Sequence, residues 1–308
     1  MKIAIYLAAI PKNKNEAKLA ILKKFGQGVS VAGDSVEYVT DDKIVISDVA
    51  VMQGFVHKDI SSPHLQLRHN ILKNNNNTLV IDSNIFQFSN PALQNYYLRY
   101  SLNGVFPTTG FYFDNKLDSN RWQSISNKLG INLKDYRNTG NHILICLQRV
   151  NGWSMCGTDV QQWLDQTVAT VRRYSNRPII VRKHPGDRRQ DKLQFSTQYT
   201  ISNSDSIIKD FKNCWATITY NSSPGIASLI HGVPVFVTDR TPQQSQTWPI
   251  CNTNLSQIEN PLMPDRQEWI DRISQCHWND DEISSGEAWK FMRERLEILK
   301  PNLFCIDR

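Results

Sequence analysis

Apolar and polar positions along this chain fall into two alternating patterns. Short apolar runs at 3–10, 49–52, 78–81, 142–147, 178–182, 216–219 and 233–237 read as buried β-strands, with 43–46 as a further candidate. Between them, residues 16–25, 63–72, 120–129, 159–174 and 204–212 place apolar side chains at helical spacing, as does 288–299 near the end of the sequence. Gly26 is the expected stop of the first helix. Repeated strand–helix–strand order predicts parallel sheets, with a ligand at the C-terminal ends of the strands. A polar, turn-like break at 136–141 separates two such series. The expectation is an α/β protein of two Rossmann-like domains facing a cleft. The N-terminal domain would cover 1–137 and the C-terminal domain 138–308, its last helix crossing back.

Two strand ends run into distinctive polar turns. Ile179-Ile180-Val181 leads into Arg182-Lys183-His184-Pro185, and Trp215-Ala216-Thr217-Ile218 leads into Thr219-Tyr220-Asn221-Ser222-Ser223-Pro224-Gly225. A short helical segment, Gly232 as its stop, and the strand 233–237 follow the second turn. A turn of Ser and Gly opening a helix presents backbone N–H groups and hydroxyls to an anion. His184 and Lys183 at a neighbouring strand end add positive charge, so the expected ligand is a phosphate or a nucleotide diphosphate. The plainer alternative is a strand-end histidine satisfied by backbone, and a helix capped by Asn221 or Ser222 with Pro224 in its first turn.

Composition narrows the class. The 308 residues are 40% hydrophobic and 21% charged, enough for a sizeable core. No apolar run approaches the ~20 residues of a membrane span, and 3–10 reads as a strand rather than a leader peptide. Six scattered cysteines form no C-x-x-C pair, and His57, His64 and His69 are too loosely spaced for a metal site. Reduced thiols in the cytoplasm are the expectation. A net charge of +6 permits an anionic partner, nucleic acid included, without requiring one.

From residue 82 to residue 237 the chain resembles a known group of enzymes. Gly110-Phe111-Tyr112-Phe113-Asp114 resembles its G-I-Y-Y-D segment, and the run from His142 to Gln148 resembles its strand ending in L-Q. Lys183-His184-Pro185 resembles K-P-H-P, and Ser222-Ser223-Pro224-Gly225 before a helix resembles its SS element. In this order they resemble the HP and SS motifs of bacterial sialyltransferases and capsule-polysaccharide (Kdo-type) glycosyltransferases. The resemblance implies a GT-B fold and inverting transfer from a nucleotide sugar, UDP- or CMP-linked, with no cofactor and no bound metal. The chain departs from the group at Gly225-Ile226-Ala227, where the group has Glu after Gly-Phe; the nucleotide is left open. Compact transferases of this kind in phage genomes modify hydroxymethylated DNA. By that analogy the expected acceptor is 5-hydroxymethylated bases in DNA, in the (host) cytoplasm, with a surface glycan or lipid-linked sugar as the alternative. A nucleotide-sugar epimerase and a non-catalytic nucleotide- or glycan-binding module complete the readings.

On this reading His184 meets the leaving phosphate, helped by Lys183 and Arg182, while Ser222 and Ser223 supply hydroxyls and Gly225 lets the backbone approach. Gln148, Arg149, Ser154 and Asn221 complete the donor-binding set, and Trp153 lies over the donor or in a core. The base that takes the acceptor proton is expected from the first domain. Asp82 resembles the acidic residue preceding G-F in the capsule group, and Asp114 is the second candidate. Tyr96, Tyr97, Arg99, Tyr100 and the aromatics at 111–113 could stack on bases or sugars, or pack as a core. Arg188, Arg189 and Lys192 form a basic cluster for a DNA backbone or for solvent. Asp239-Arg240 contacts the donor or forms a surface pair.

Overall fold

A computed structural model describes residues 1–11, 16–54, 56, 60–86, 88 and 96–298; His57, Cys305 and residue 299 of the predicted last helix lie outside them. Along the chain the elements are β1 (Lys2–Tyr6), α1 (Glu16–Val31), β2 (Ser35–Val39), β3 (Val49–Gln53), α2 (Pro63–Asn74), β4 (Thr78–Asp82), β5 (Tyr97–Leu102) and α3 (Ser119–Leu129). They continue as β6 (His142–Cys146), α4 (Val160–Arg172), β7 (Ile179–Arg182), β8 (Thr200–Ile201), α5 (Ile207–Asp210), β9 (Cys214–Thr219), α6 (Pro224–Ile230) and β10 (Val235–Val237). The last are α7 (Gln267–Ser274), β11 (His277–Asn279), α8 (Asp280–Ser284) and α9 (Glu287–Ile298). Among the described residues, no helix is long and apolar enough to cross a membrane. The architecture is α/β, with two Rossmann-like domains. One compact unit contains the described residues up to 86, 96–125 and 271–298; the other contains Phe88 and 126–270. The division after 125 precedes the turn at 136–141 because that turn is held within the second unit. Lys134 and Arg137 donate their amides to Ile230 and Gly232, and Gly232 (φ +72) lies so close to the Asp135 carbonyl that a Cβ would stand 2.0 Å from it.

The first unit carries a six-stranded sheet in the order β11-β5-β4-β3-β1-β2. β2, β1, β3 and β4 run parallel; β5 pairs antiparallel with β4, and β11 antiparallel with β5. The parallel strands place a topological switch point between β1 and β3. Alternate residues of β1 feed two cores: Ile3 and Ile5 pack with Phe25, Trp289 and Met292, whereas Ala4 and Tyr6 pack with Leu67 and Ile71. A sheet covered on both faces explains the continuous apolar runs.

Two local expectations are corrected here, and one strand is added. Residues 43–46 form no strand; the backbone of Val45 is held by the Tyr6 hydroxyl. The strand that flanks β1 on the side away from β3 is β2, a half-exposed edge strand whose mixed pattern hides it. α1 runs through Gly26, where a Cβ would meet the Tyr38 hydroxyl at 2.2 Å, and through Gly28, where it would meet the Ile283 carbonyl at 1.8 Å. Those glycines serve close packing rather than a helix stop.

The edge at β11 is built from buried polar groups. Arg121 Nη1 and Nη2 form a forked pair with Glu282 (2.6 and 2.8 Å), Nε donates to the His277 carbonyl at 2.9 Å, and the guanidinium lies 3.8 Å from the Trp278 ring centre. Glu282 also closes a capping box with Asn279 at the start of α8. His277 is fully buried, and its Nδ1 lies 2.8 Å from the Ile273 carbonyl, which can only accept. The neutral ring therefore carries its proton on Nδ1, and buried Nε2 has no partner among the described residues. Burial, with Arg99 adding to it, pushes the His277 imidazole down to about 3. A base with a depressed folded-state pKa stabilises the fold above its unfolded pKa and loses that contribution as pH falls towards the folded value. Stability should therefore decline with pH below about 6.5, by up to about 1.4 kcal/mol per unit from this group. Urea titrations at pH 6.5 and 4.5 should show a smaller decline for His277→Asn; equal declines would remove His277 as the cause.

The second unit carries a five-stranded sheet, all parallel, in the order β10-β9-β6-β7-β8. Numbered within the unit this is the Rossmann order 3-2-1-4-5, with its switch point between β6 and β9. Ile143 and Ile145 pack with α4 through Leu164 and Val168, and Leu144 and Cys146 pack with Phe211 and Ala227. Asp159 caps α4 by accepting from the Gln162 amide at 2.9 Å. The helix predicted over 204–212 contracts to α5, capped by Ser206.

Candidate functional site

Because every strand of the second unit is parallel, the segments after β6, β7, β9 and β10 all emerge at one edge of the sheet. Those segments hold Gln148 and Arg149, Lys183 and His184, Asn221 to Ser223, and Asp239. The structure thus brings the sequence-predicted donor residues to one edge, two of its loops flanking the switch point.

Gln148 ties the edge together. Its Nε2 donates to Ser154 Oγ at 2.7 Å, and its Oε1 accepts from the Asn221 amide at 2.9 Å. Asn221 Nδ2 in turn reaches the Ser154 carbonyl (3.1 Å) and Asp239 Oδ2 (2.6 Å). Gln148, Ser154 and Asn221 therefore spend polar groups on holding the loops. Asp239 is buried, and burial raises its carboxyl above the usual range against the hydrogen bonds of the Thr241 amide and Asn221. It is no surface partner of the exposed Arg240.

Sequence reasoning missed Gln190. It is fully buried, donates to the Gln148 carbonyl at 2.6 Å, and accepts from the His184 amide at 2.7 Å. It thereby couples the ends of β6 and β7. Asp187 adds a second tie, accepting from the Val150 amide at 2.7 Å. Nothing in the local pattern Arg188-Arg189-Gln190 marks the glutamine as buried.

His184 stands free at the centre of this frame. The Gly186 amide donates to its Nδ1 at 3.1 Å, so the neutral ring carries its proton on Nε2. Among the described residues Nε2 has no hydrogen-bond partner, and neither has the exposed Arg149 guanidinium. Arg149 Nη2 and His184 Cε1 would lie 3.3 and 3.5 Å from one Cβ placed on Gly186, so both flank that turn. Burial, and next the Arg149 charge, hold the His184 imidazole below its ordinary value. It is therefore a neutral N–H donor beside a cation. Thr219 Oγ1 at the end of β9 and Ser222 Oγ beyond it are buried without partners among the described residues.

Other expectations change. Lys183 Nζ pairs with Asp191 at 2.9 Å and lies over the Phe195 ring, while Arg182 Nη1 pairs with buried Asp210 at 2.5 Å. Both charges are spent on carboxylates, on opposite sides of an alternating strand. Neither Asn221 nor Ser222 caps α6; Ser223 occupies the cap position in helical conformation without a side-chain bond, and Pro224 stands in the first turn as expected. Gly225 faces the protein instead of a ligand, since a Cβ there would stand 3.0 Å from Thr247 Cγ2 and 3.3 Å from Val235 Cγ1. Trp153 is 48% exposed and belongs to no core.

In the first unit, Asp82 ends β4 at the carboxyl edge. Its Oδ2 accepts from Arg99 Nη2 at 2.6 Å across the β4–β5 ladder, and Oδ1 has no partner among the described residues. Asp114 is instead held by Arg272 Nε of α7 at 2.5 Å. The two aspartates sit in separate ion pairs. The aromatic–basic patch is core: Tyr97, Tyr100, Tyr112 and Phe113 are at most 2% exposed, and Arg99 is buried in its ion pair. Tyr96 donates to Asp281 at 2.8 Å. Arg189 pairs with Asp187, leaving Arg188 and Lys192 as exposed charges without an ion pair among the described residues.

The fold has solved counterparts. The Thermosulfurimonas dismutans KpsC β-Kdo 2,4-transferase is similar with a TM-score of 0.56 and 11% identity, over 88% of this chain and 90% of that one. The β-Kdo 2,7-transferase of the same KpsC is similar with a TM-score of 0.53 and 14% identity, over 94% of this chain and 100% of that one. No protein-family model and no curated protein matches the chain.

Proposed function

We propose that this chain is an inverting glycosyltransferase that binds a UDP- or CMP-linked sugar on the second unit and transfers the sugar to a hydroxyl of a carbohydrate acceptor. One observation carries the reading: the neutral His184 Nε2–H and the Arg149 guanidinium, both unpartnered among the described residues, stand at the carboxyl edge of a Rossmann sheet braced by Gln148, Gln190 and Asn221. A preorganised N–H donor and a cation suit the negative charge that develops on the leaving phosphate. The acceptor hydroxyl attacks the anomeric carbon from the face opposite the nucleotide, the bond to the phosphate oxygen breaks, and Asp82 Oδ1 takes the hydroxyl proton. The likeness of fold to two Kdo transferases supports this assignment. DNA is not favoured as acceptor, because the aromatics that would stack on bases are packed in the core.

The test is nucleotide release from UDP- and CMP-sugars in EDTA, with acidic and neutral oligosaccharides, hydroxymethylcytosine DNA, or no acceptor. Release that depends on an oligosaccharide, and falls at least tenfold in Asp82→Asn with unchanged nucleotide affinity, supports the reading. Release that depends on DNA would reinstate the DNA-modifying alternative. A changed nucleotide sugar without release would indicate an epimerase, and binding without turnover a binding module.

A further inference from the structure

We propose that the switch point of the first unit's sheet is a separate anion site, in which Arg68 grips a carboxylate or phosphate carried by the acceptor. This deepens the transferase reading and rests on it for the identity of the ligand as an acceptor; the anion site itself involves the first unit alone.

Arg68 lies on α2, the helix that follows β3, and is 6% exposed. Its Nε donates to the carbonyl of Ala9, just beyond β1, at 3.0 Å. Its guanidinium lies against Gly54, just beyond β3: a Cβ there would stand 2.6 Å from Nη1 and 2.8 Å from both Cζ and Nη2. Arg68 therefore bridges the two strand ends that define the switch point, where open α/β sheets receive ligands. Gly54 has φ +92, so backbone and crowding both call for glycine there.

The guanidinium is under-used. Among the described residues its one hydrogen bond is the Ala9 contact, and Nη2 is buried with no acceptor. At the end of β3, next to Gly54 in the chain, buried Gln53 Oε1 has no donor among the described residues. The carboxylate whose charge acts on Arg68 is Asp82, and its Oδ2 is already bound by Arg99. Burial pulls the Arg68 guanidinium down to about 10, with Asp82 opposing. A buried cation with so few partners is costly, and a bound oxyanion would relieve it. The fork suits two oxygens of a carboxylate or phosphate, and Gln53 Oε1 suits a sugar hydroxyl. The ligand is thus an acidic sugar, bound one strand away from Asp82.

Isothermal titration of the full chain with glucuronate, glucose 6-phosphate and glucose tests this, with UDP and CMP titrated in parallel. We expect at least one acidic sugar to bind tenfold or more tighter than glucose, the better one identifying carboxylate or phosphate as the source. Arg68→Gln should abolish that preference and leave nucleotide affinity within twofold. Arg68→Lys, which keeps the charge but loses the fork, is the second variant in case the glutamine variant fails to fold; it should lose at least threefold of the preference. Equal binding of glucose and both acids, or an undiminished preference in either folded variant, would overturn the proposal. Acid preference without any nucleotide binding would leave this site standing and sink the transferase reading instead.

Discussion

On the transferase reading, replacing His184 by alanine should lower kcat/KM for sugar transfer roughly 100- to 1,000-fold, the range found when one preorganised oxyanion donor is removed. The melting temperature should move by less than about 3 °C, because the ring's one hydrogen bond is to the Gly186 amide of an exposed turn. The loss should fall mainly on kcat, since on that reading the Nε2–H meets charge that grows as the phosphate leaves. His184→Gln should retain part of the activity, because a side-chain amide can still present an N–H. Acid pH acts in the same direction: protonating Nδ1 sets a ring N–H against the Gly186 N–H. Because the pKa is depressed, this loss should begin at a lower pH than for a free imidazole. A variant that melts early and turns over normally when folded would make His184 a purely structural residue.

Arg121→Met should destabilise the first unit by about 3–5 kcal/mol, the usual cost of breaking a buried ion pair from one side. The methionine replaces the aliphatic stem, but Glu282 keeps its charge at 12% side-chain exposure, and the His277 carbonyl loses its Nε donor. The contact with Trp278 goes as well. By scanning calorimetry the transition of this unit should fall by about 10 °C. The double variant Arg121→Met with Glu282→Leu should recover part of the loss, because a buried pair replaced on both sides leaves no orphaned charge. A shift under about 2 °C for the single variant would show that the pair contributes nothing net.

The strands that sequence reading finds are those buried on both faces, such as β4 and β6, whose runs have no polar interruption. Those it misses break that rule for physical reasons. β2 is an edge with one buried position at its end. β5 buries Arg99 and Ser101, which local pattern cannot distinguish from surface residues until the partner Asp82 and the Gly104 carbonyl are known. β11 is three residues long and meaningful only as the neighbour of β5. The same division holds at the site. His184 is legible because Pro185-Gly186 forces a turn after an apolar run. The positions of Gln148 and Asn221 are legible as strand ends, but their bracing role appears only when parallel strands bring both ends together. Arg68 is invisible in sequence, since an arginine on an amphipathic helix normally faces water.

The first unit's sheet takes its outermost strand, β11, from residues that follow the whole second unit in the chain. Synthesis on the ribosome therefore completes the two units in an order opposite to their numbering. By the time residue 270 has emerged, the second unit has its contiguous chain in hand, whereas β5 still lacks its edge partner and Arg121 lacks Glu282. During that interval the exposed edge of β5 is an open template for foreign strands. A nascent chain arrested before His277 should accordingly protect the second unit from protease and leave the first unit sensitive, with resistance appearing only once β11 and α8 are released.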